Sequence, residues 1–278
     1  MELLRNISWR ATKVWRRNVD VFLVTLPIEG LPAIVEPILY LLAFGMGLGT
    51  MIGTLHYQGR VVDYLHFLAP GTVAVAILFW SYFEMTYASY IRMYYQKTFD
   101  AILATPLLVE DVILGEMLFA TTKSLLAATV MLGVISAFGL VSWPTGLLVL
   151  PIAVLGGSFF AGIGLVITSM VRNISHFNVP MSLFVLPMFT FGGTFFPLEV
   201  LPSWAHPIAW CLPLTHVSLL VRSATLGMAH PMIPVSVAYL GIGSVVFGIL
   251  ALHRMKRRLF EGQSRWWFTL ALGYRSFR

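Results

Sequence analysis

The sequence predicts an all-α integral membrane protein: six transmembrane helices, an interfacial helix before them, and short re-entrant helices on the outer side before the last span. Three observations predict it: an apolar composition, six apolar runs long enough to cross a bilayer, and a one-sided placement of basic residues. Of 278 residues, 58% are hydrophobic and 11% charged, with a mean hydropathy of +0.83; ordinary soluble domains are about 25% charged. The single cysteine, Cys211, excludes an intramolecular disulfide and a thiolate metal site.

Residues 1–30 mix basic and apolar positions and lack the layout of a cleavable signal peptide. At helical spacing Leu4, Ile7, Ala11, Val14, Trp15 and Phe22 share one arc, with Arg5, Lys13, Arg16, Arg17 and Asp20 opposite and Trp9 on the polar side. This predicts an amphipathic interfacial helix ending by Pro27. Residues 31–253 then hold the spans, each meeting the roughly 17–25 residues that about 30 Å of hydrocarbon demands. They run Leu31 to Gly53, Phe67 to Ile91, Ile113 to Leu140, Thr145 to Val171, Phe177 to Phe196 and Met232 to Leu252. Between the fifth and sixth, residues 196–231 are too apolar for a free loop and too rich in proline for one helix. Short half-inserted helices fit that pattern, with Trp204 and Trp210 at headgroup depth. Residues 254–278 form a basic tail.

Basic residues collect before the first span, between the second and third, between the fourth and fifth, and after the sixth; only Arg60 and Arg222 fall in loops on the other side. Short loops rich in Lys and Arg stay cytoplasmic, so both termini are expected inside a bacterial cytoplasmic membrane. The net charge of +6 reads as topology and attraction to anionic lipids, with no nucleic-acid partner.

The charged, Pro-broken segment 92–112 lies between two apolar spans and must sit outside hydrocarbon or in a protein-lined cavity. Within it Thr98 is expected to cap a short helix through Asp100, with Phe99, Ile102 and Leu103 as an apolar face and Pro106 as its end. Such a helix suits a groove on a partner; the alternative is packing on the protein's own spans. Ionisable residues inside spans face a cavity or a partner. Tyr82, Glu84, Tyr87 and Lys123 are candidates for a translocation path taking a carbohydrate headgroup, with a structural Glu84–Lys123 pair as the alternative. Glu116 shares a helix face with Lys123, and Glu36 is placed at the rim of the first span. Gly45, Gly49 and Gly53 form a small-residue stripe for helix packing, within a protomer or between two.

TFDAILATPLLVEDVILGE (Thr98 to Glu116), ATTKSLLAA (Ala120 to Ala128), FPLEVLP (Phe196 to Pro202) and LPLTHVSLLVRSATLG (Leu212 to Gly227) together resemble the type-2 ABC exporter permeases. Within them the likeness is to the lipo-oligosaccharide and polysaccharide exporter branch typified by NodJ. The resemblance spans nearly the whole chain except the tail after about Phe260. It implies a homodimer with two copies of a separate ATPase docking on the loop after the second span, and a lipid-linked oligosaccharide, polysaccharide or other amphipathic substrate moved outward. A drug or antibiotic efflux permease is an alternative within the family.

No Gly-Lys dipeptide occurs, hence no P-loop. The chain is therefore expected to bind no cofactor, with ATP and Mg on the partner. The seven histidines form no zinc motif, and Ser158 lacks a nucleophile-elbow context. His216 and Arg222 are read as partners of backbone carbonyls or headgroups. An ion-coupled secondary transporter predicts inverted repeats and broken helices at matched positions, which the sequence does not display.

Overall fold

The computed structural model describes residues 9–273, without the side chains of residues 32–34, 36, 37, 46 and 261–273. Leu4, Arg5, Ile7, Arg275 and Arg278 therefore lie outside the described residues, as do the side chains of Glu36 and Arg265.

Helix α1 (Ala11–Leu42) carries the amphipathic segment and the first apolar run in one continuous helix, extended through a π-wound stretch, Ala43–Leu48, and a last turn, Gly49–Ile52. The expected stop at Pro27 does not occur. A proline removes one backbone bond and clashes with the preceding turn, but a neighbouring helix can compensate for both. The arc holds: Ala11, Val14 and Phe22 are buried, whereas Lys13, Arg16, Arg17 and Asp20 are exposed. That face packs on α4 (Val109–Ala137), and a Cβ on Gly115 would meet Val14 at 2.6 Å and the Ala11 carbonyl at 2.8 Å.

Strands β1 (Thr54–Tyr57) and β2 (Arg60–Asp63) form an antiparallel hairpin between the first two apolar runs. Its two-residue turn, Gln58 and Gly59, has φ of 50° and 72°, the left-handed pair that a type I′ hairpin needs. Asp63 then caps α2 (Tyr64–Tyr95) by accepting from the Leu65 amide. Helix α2 is π-wound over Glu84–Ala88 and Ile91–Tyr95. After α3 (Thr98–Leu103) and α4 come α5 (Thr145–Met170), α6 (Ile174–Phe191), α7 (Ala205–Cys211), α8 (Pro213–Leu226) and α9 (Ile233–Gly273).

Among the described residues, five helices are long and apolar enough to cross a membrane: α2, α4, α5, α6, and α9 as far as Phe260; the first apolar run gives only a shorter apolar stretch, Ile38–Ile52, at the end of α1 and beyond it. The chain is an all-α, multi-pass membrane protein. Helices α2, α4 and α5 pack together at its centre, with α1 on α4, α9 on α5, and α8 against α2. Two buried apolar clusters result. One, toward the hairpin end, includes Ile77, Leu78, Ile135, Phe160 and Val217. The other, toward α3, includes Met85, Tyr90, Phe99, Ile113, Leu165 and Phe177.

Candidate functional site

Helix α3 is short and firmly held. Lys97, left-handed at φ 55°, turns the chain out of α2, and Thr98 is the first helical residue rather than its cap. Phe99 is fully buried in the same cluster as Tyr90, Val109 and Ile113, with Ile102 and Leu103 packed partly against it. The apolar face therefore meets the protein's own spans. Asp100, Ala101, Ala104, Thr105 and Pro106 are exposed. Arg10 at the start of α1 donates to the Pro106 carbonyl at 3.2 Å. Past Pro106, the Asp111 carboxylate accepts from the Leu108 amide at 3.0 Å and starts α4. Lys256 of α9 pairs with Glu110 at 2.7 Å.

Just inside this end lies a network of charges drawn from three helices. Arg92 of α2 reaches Glu84 on its own helix at 2.6 Å and Glu116 on α4 at 2.5 Å, with its Nε also donating to Glu116. Lys123 of α4 reaches Glu84 at 2.9 Å and Glu29 of α1 at 2.8 Å. Asn18 of α1 donates to Glu116 at 2.7 Å. Phe22, Trp80 and Phe119 surround the Lys123 ammonium within 5.7 Å. Each ion thus has a counter-ion and further partners, the condition under which buried charge is tolerated. The arrangement cross-braces α1, α2 and α4 next to α3.

At the opposite end, Pro197 precedes a short turn and α7, and Pro213 starts α8 at its first position, where a proline amide is not missed. His216 bridges the Ser236 hydroxyl and the Trp210 carbonyl, both at 3.0 Å, and Arg222 donates to the carbonyls of Phe67 and Gly193. Both residues thus meet backbone carbonyls, as the sequence suggested. His230, between α8 and α9, accepts from the Met232 amide; burial holds its imidazole below the usual pKa, with Glu199 opposing the shift.

Residues 2–226 match the family model described as ABC-2 type transporter. The chain belongs to that family. Among its relatives, nodulation protein J of Rhizobium leguminosarum bv. trifolii is 35% identical over 258 residues, covering 92% of this chain and 95% of the relative. Nodulation protein J of Sinorhizobium fredii is 32% identical over 253 residues, covering 91% and 95%. That of Rhizobium meliloti is 32% identical over 252 residues, covering 91% and 95%. An ABC-2 membrane chain is the permease component of an ABC exporter and not its catalytic subunit.

In this ABC-2 permease the candidate residues separate into three groups. Thr98, Phe99, Asp100, Ile102, Leu103 and Pro106 are together on and after α3, with Phe99 turned inward. Tyr82, Glu84 and Lys123 are buried, Tyr87 is half-buried, and Glu84 and Lys123 are paired to each other. Glu84 and Lys123 thus form the pair stated as the alternative. The glycine stripe divides: a Cβ on Gly45 would meet Leu65 of the same chain at 2.7 Å, Gly49 lies near Tyr64, and Gly53, at φ +67°, ends the helix. Gly45 thus serves packing inside the protomer, and Gly53 serves the turn.

A groove of about 570 Å³ opens between α1, α2, α4 and α6. Tyr40, Phe79, Trp80, Met131, Phe189 and Phe195 line it. The sequence reading missed it, because no single helix shows which aromatic rings converge. It also missed Asn18, Glu29 and Arg92 as network members. A signal existed for two of them: at 100° per residue Asn18 and Glu29 fall in the middle of the apolar arc of α1.

Proposed function

We propose that this chain is the membrane subunit of an ATP-driven exporter that carries a lipid-linked oligosaccharide, a polysaccharide or another amphipathic substrate outward across the cytoplasmic membrane. A homodimer works with two copies of a separate ATPase that binds ATP and Mg, and both termini face that ATPase in the cytoplasm. The observation that carries this reading is the anchoring of α3: one side is locked into the spans by Phe99, and the other is free to meet a motor. Asp100, Ala101, Ala104 and Pro106 then form the docking face. Phe99, Ile102 and Leu103 transmit its displacement to α2 and α4, because a buried aromatic cannot slip without opening a cavity. The charge network makes α1 follow the same motion. Substrate passes between the protomers, alongside the aromatic groove, where rings suit both sugar faces and lipid chains.

The test is affinity purification in mild detergent of the parent protein and of an Asp100→Arg, Ala104→Arg double variant, with ATP hydrolysis assayed in each eluate. A P-loop subunit should accompany the parent and be lost from the variant, at equal amounts of membrane-inserted protein. A variant that keeps partner and hydrolysis overturns the docking face. A parent that brings no ATPase overturns the exporter reading.

A further inference from the structure

At the hairpin end one buried cation has no carboxylate partner. The Arg222 side chain is buried in α8, yet no ion pair among the described residues includes it. Its Nε and Nη2 donate to the Phe67 and Gly193 carbonyls at 3.3 and 2.8 Å, and its plane lies over Phe67 at 3.8 Å and Tyr57 at 5.3 Å. Carbonyls and ring faces solvate a guanidinium but supply no countercharge, and the two carbonyl bonds with one to the Tyr57 side chain still leave donors over from its five.

Those donors border a pocket of about 530 Å³ including its mouth, lined also by Glu199, His206, Trp210, Ser218 and His230. The Ser218 hydroxyl is buried at 1% exposure and has no hydrogen-bond partner. Native structures rarely leave such a group unsatisfied, so it marks a place where a ligand atom belongs. His230 accepts through Nδ1 from Met232, which puts the proton of its neutral ring on Nε2 and makes that edge a donor. The indole of Trp210 is donor-only. The one acid, Glu199, is exposed and acts on Arg222 and His230 from beyond ion-pair distance. A buried cation, an unpartnered hydroxyl and neutral donors around one space are a set for an oxyanion, and the guanidinium fork suits a phosphate in particular.

We infer that this pocket binds a phosphate group, carried by a phospholipid headgroup or free in solution. The site serves whichever substrate the permease carries, and it stands without the export reading. A headgroup source fits the surroundings, since Trp204, two residues before the lining residue His206, is exposed, and tryptophan favours headgroup depth.

The full-length protein in mild detergent is titrated with phosphatidylglycerol, with phosphatidylcholine and with inorganic phosphate, and bound species are counted by native mass spectrometry. Ser218→Ala removes a hydroxyl that has no internal partner, so its thermal midpoint without ligand should equal the parent's. Its phosphatidylglycerol affinity should fall about tenfold, the size of one hydrogen bond to a charged group. Arg222→Lys keeps the charge but loses the fork and should fall at least as far. Retained phosphatidylglycerol that millimolar phosphate does not displace assigns the site to lipid; displacement by phosphate assigns it to the free anion. Equal retention of both lipids and of phosphate by the Ser218→Ala protein and its parent overturns the inference.

Discussion

The two ends of this permease bury cations in opposite ways. Near α3, Arg92 and Lys123 are each bracketed by two carboxylates from different elements, so the charge there is closed upon itself. Near the hairpin, Arg222 is held by two carbonyls and two rings, and its nearest carboxylate, Glu199, makes no ion pair with it. A closed network resists being pulled apart, because separating any pair strands an ion in low dielectric. That is the property needed where three helices must move as one. An open cation is neutralised only by something that arrives, which is the property of a binding site. The same physics thus yields a brace at one end and a receptor at the other.

Arg92→Met tests the brace most severely. It leaves Glu84 with Lys123 alone and Glu116 with Asn18 alone, both buried, and a buried pair broken from one side costs about 3–5 kcal/mol. The unfolding midpoint in detergent should drop accordingly, and adding Glu116→Gln should recover part of the loss by removing the stranded charge. A variant as stable as the parent would mean that the network carries no strain-bearing role.

Phe99→Ala comes next, at about 3–5 kcal/mol for a buried aromatic truncated to a cavity. Because the docking face is untouched, the ATPase partner should still bind while transport per ATP hydrolysed falls. If transport stays coupled, α3 does not act through Phe99.

Arg222→Met should cost less than either, about 1–3 kcal/mol, since what it strands is neutral carbonyl oxygen rather than a carboxylate. Equal losses for Arg92→Met and Arg222→Met, read from the same melting series, would break the contrast between the two ends.

Much of the brace was legible in the sequence and much of its membership was not. Hydropathy alone located the five spans found among the described residues, because backbone in hydrocarbon has few choices. The Glu84–Lys123 pair followed from two ionisable residues on adjacent spans. Arg92 escaped because it reads as a loop charge by position, and only the π-wound end of α2 keeps it helical and within reach of Glu116. Phe99 was placed correctly on an apolar face, but periodicity cannot say whether such a face meets a partner or the chain itself. The hairpin left a trace in the glycine of Gln58–Gly59, too short a signal to compete with the long apolar runs around it. Pro27 misled because the rule that proline stops a helix is a rule for water, and a chain among lipid tails has few alternatives to helix.

The smallest effect probes whether the brace extends to the α9 end. Lys256 pairs with Glu110 at 2.7 Å, and its side chain is 36% exposed against 4% for Glu110. A half-exposed ammonium gains little from its partner, since water solvates it nearly as well and the long side chain loses freedom when held. Lys256→Ala should therefore lower stability by at most about 1 kcal/mol, and added salt should shrink the difference. The reason to measure it is position: α9 packs mainly on α5, with smaller contacts to α8 and α4, and this pair is a charged tie to the first turn of α4, directly after α3. If Lys256→Ala leaves stability nearly intact yet weakens coupling as much as Phe99→Ala, α9 belongs to the moving unit. If it changes neither, the unit that follows the motor is limited to α1, α2 and α4, the three helices that share the buried ions.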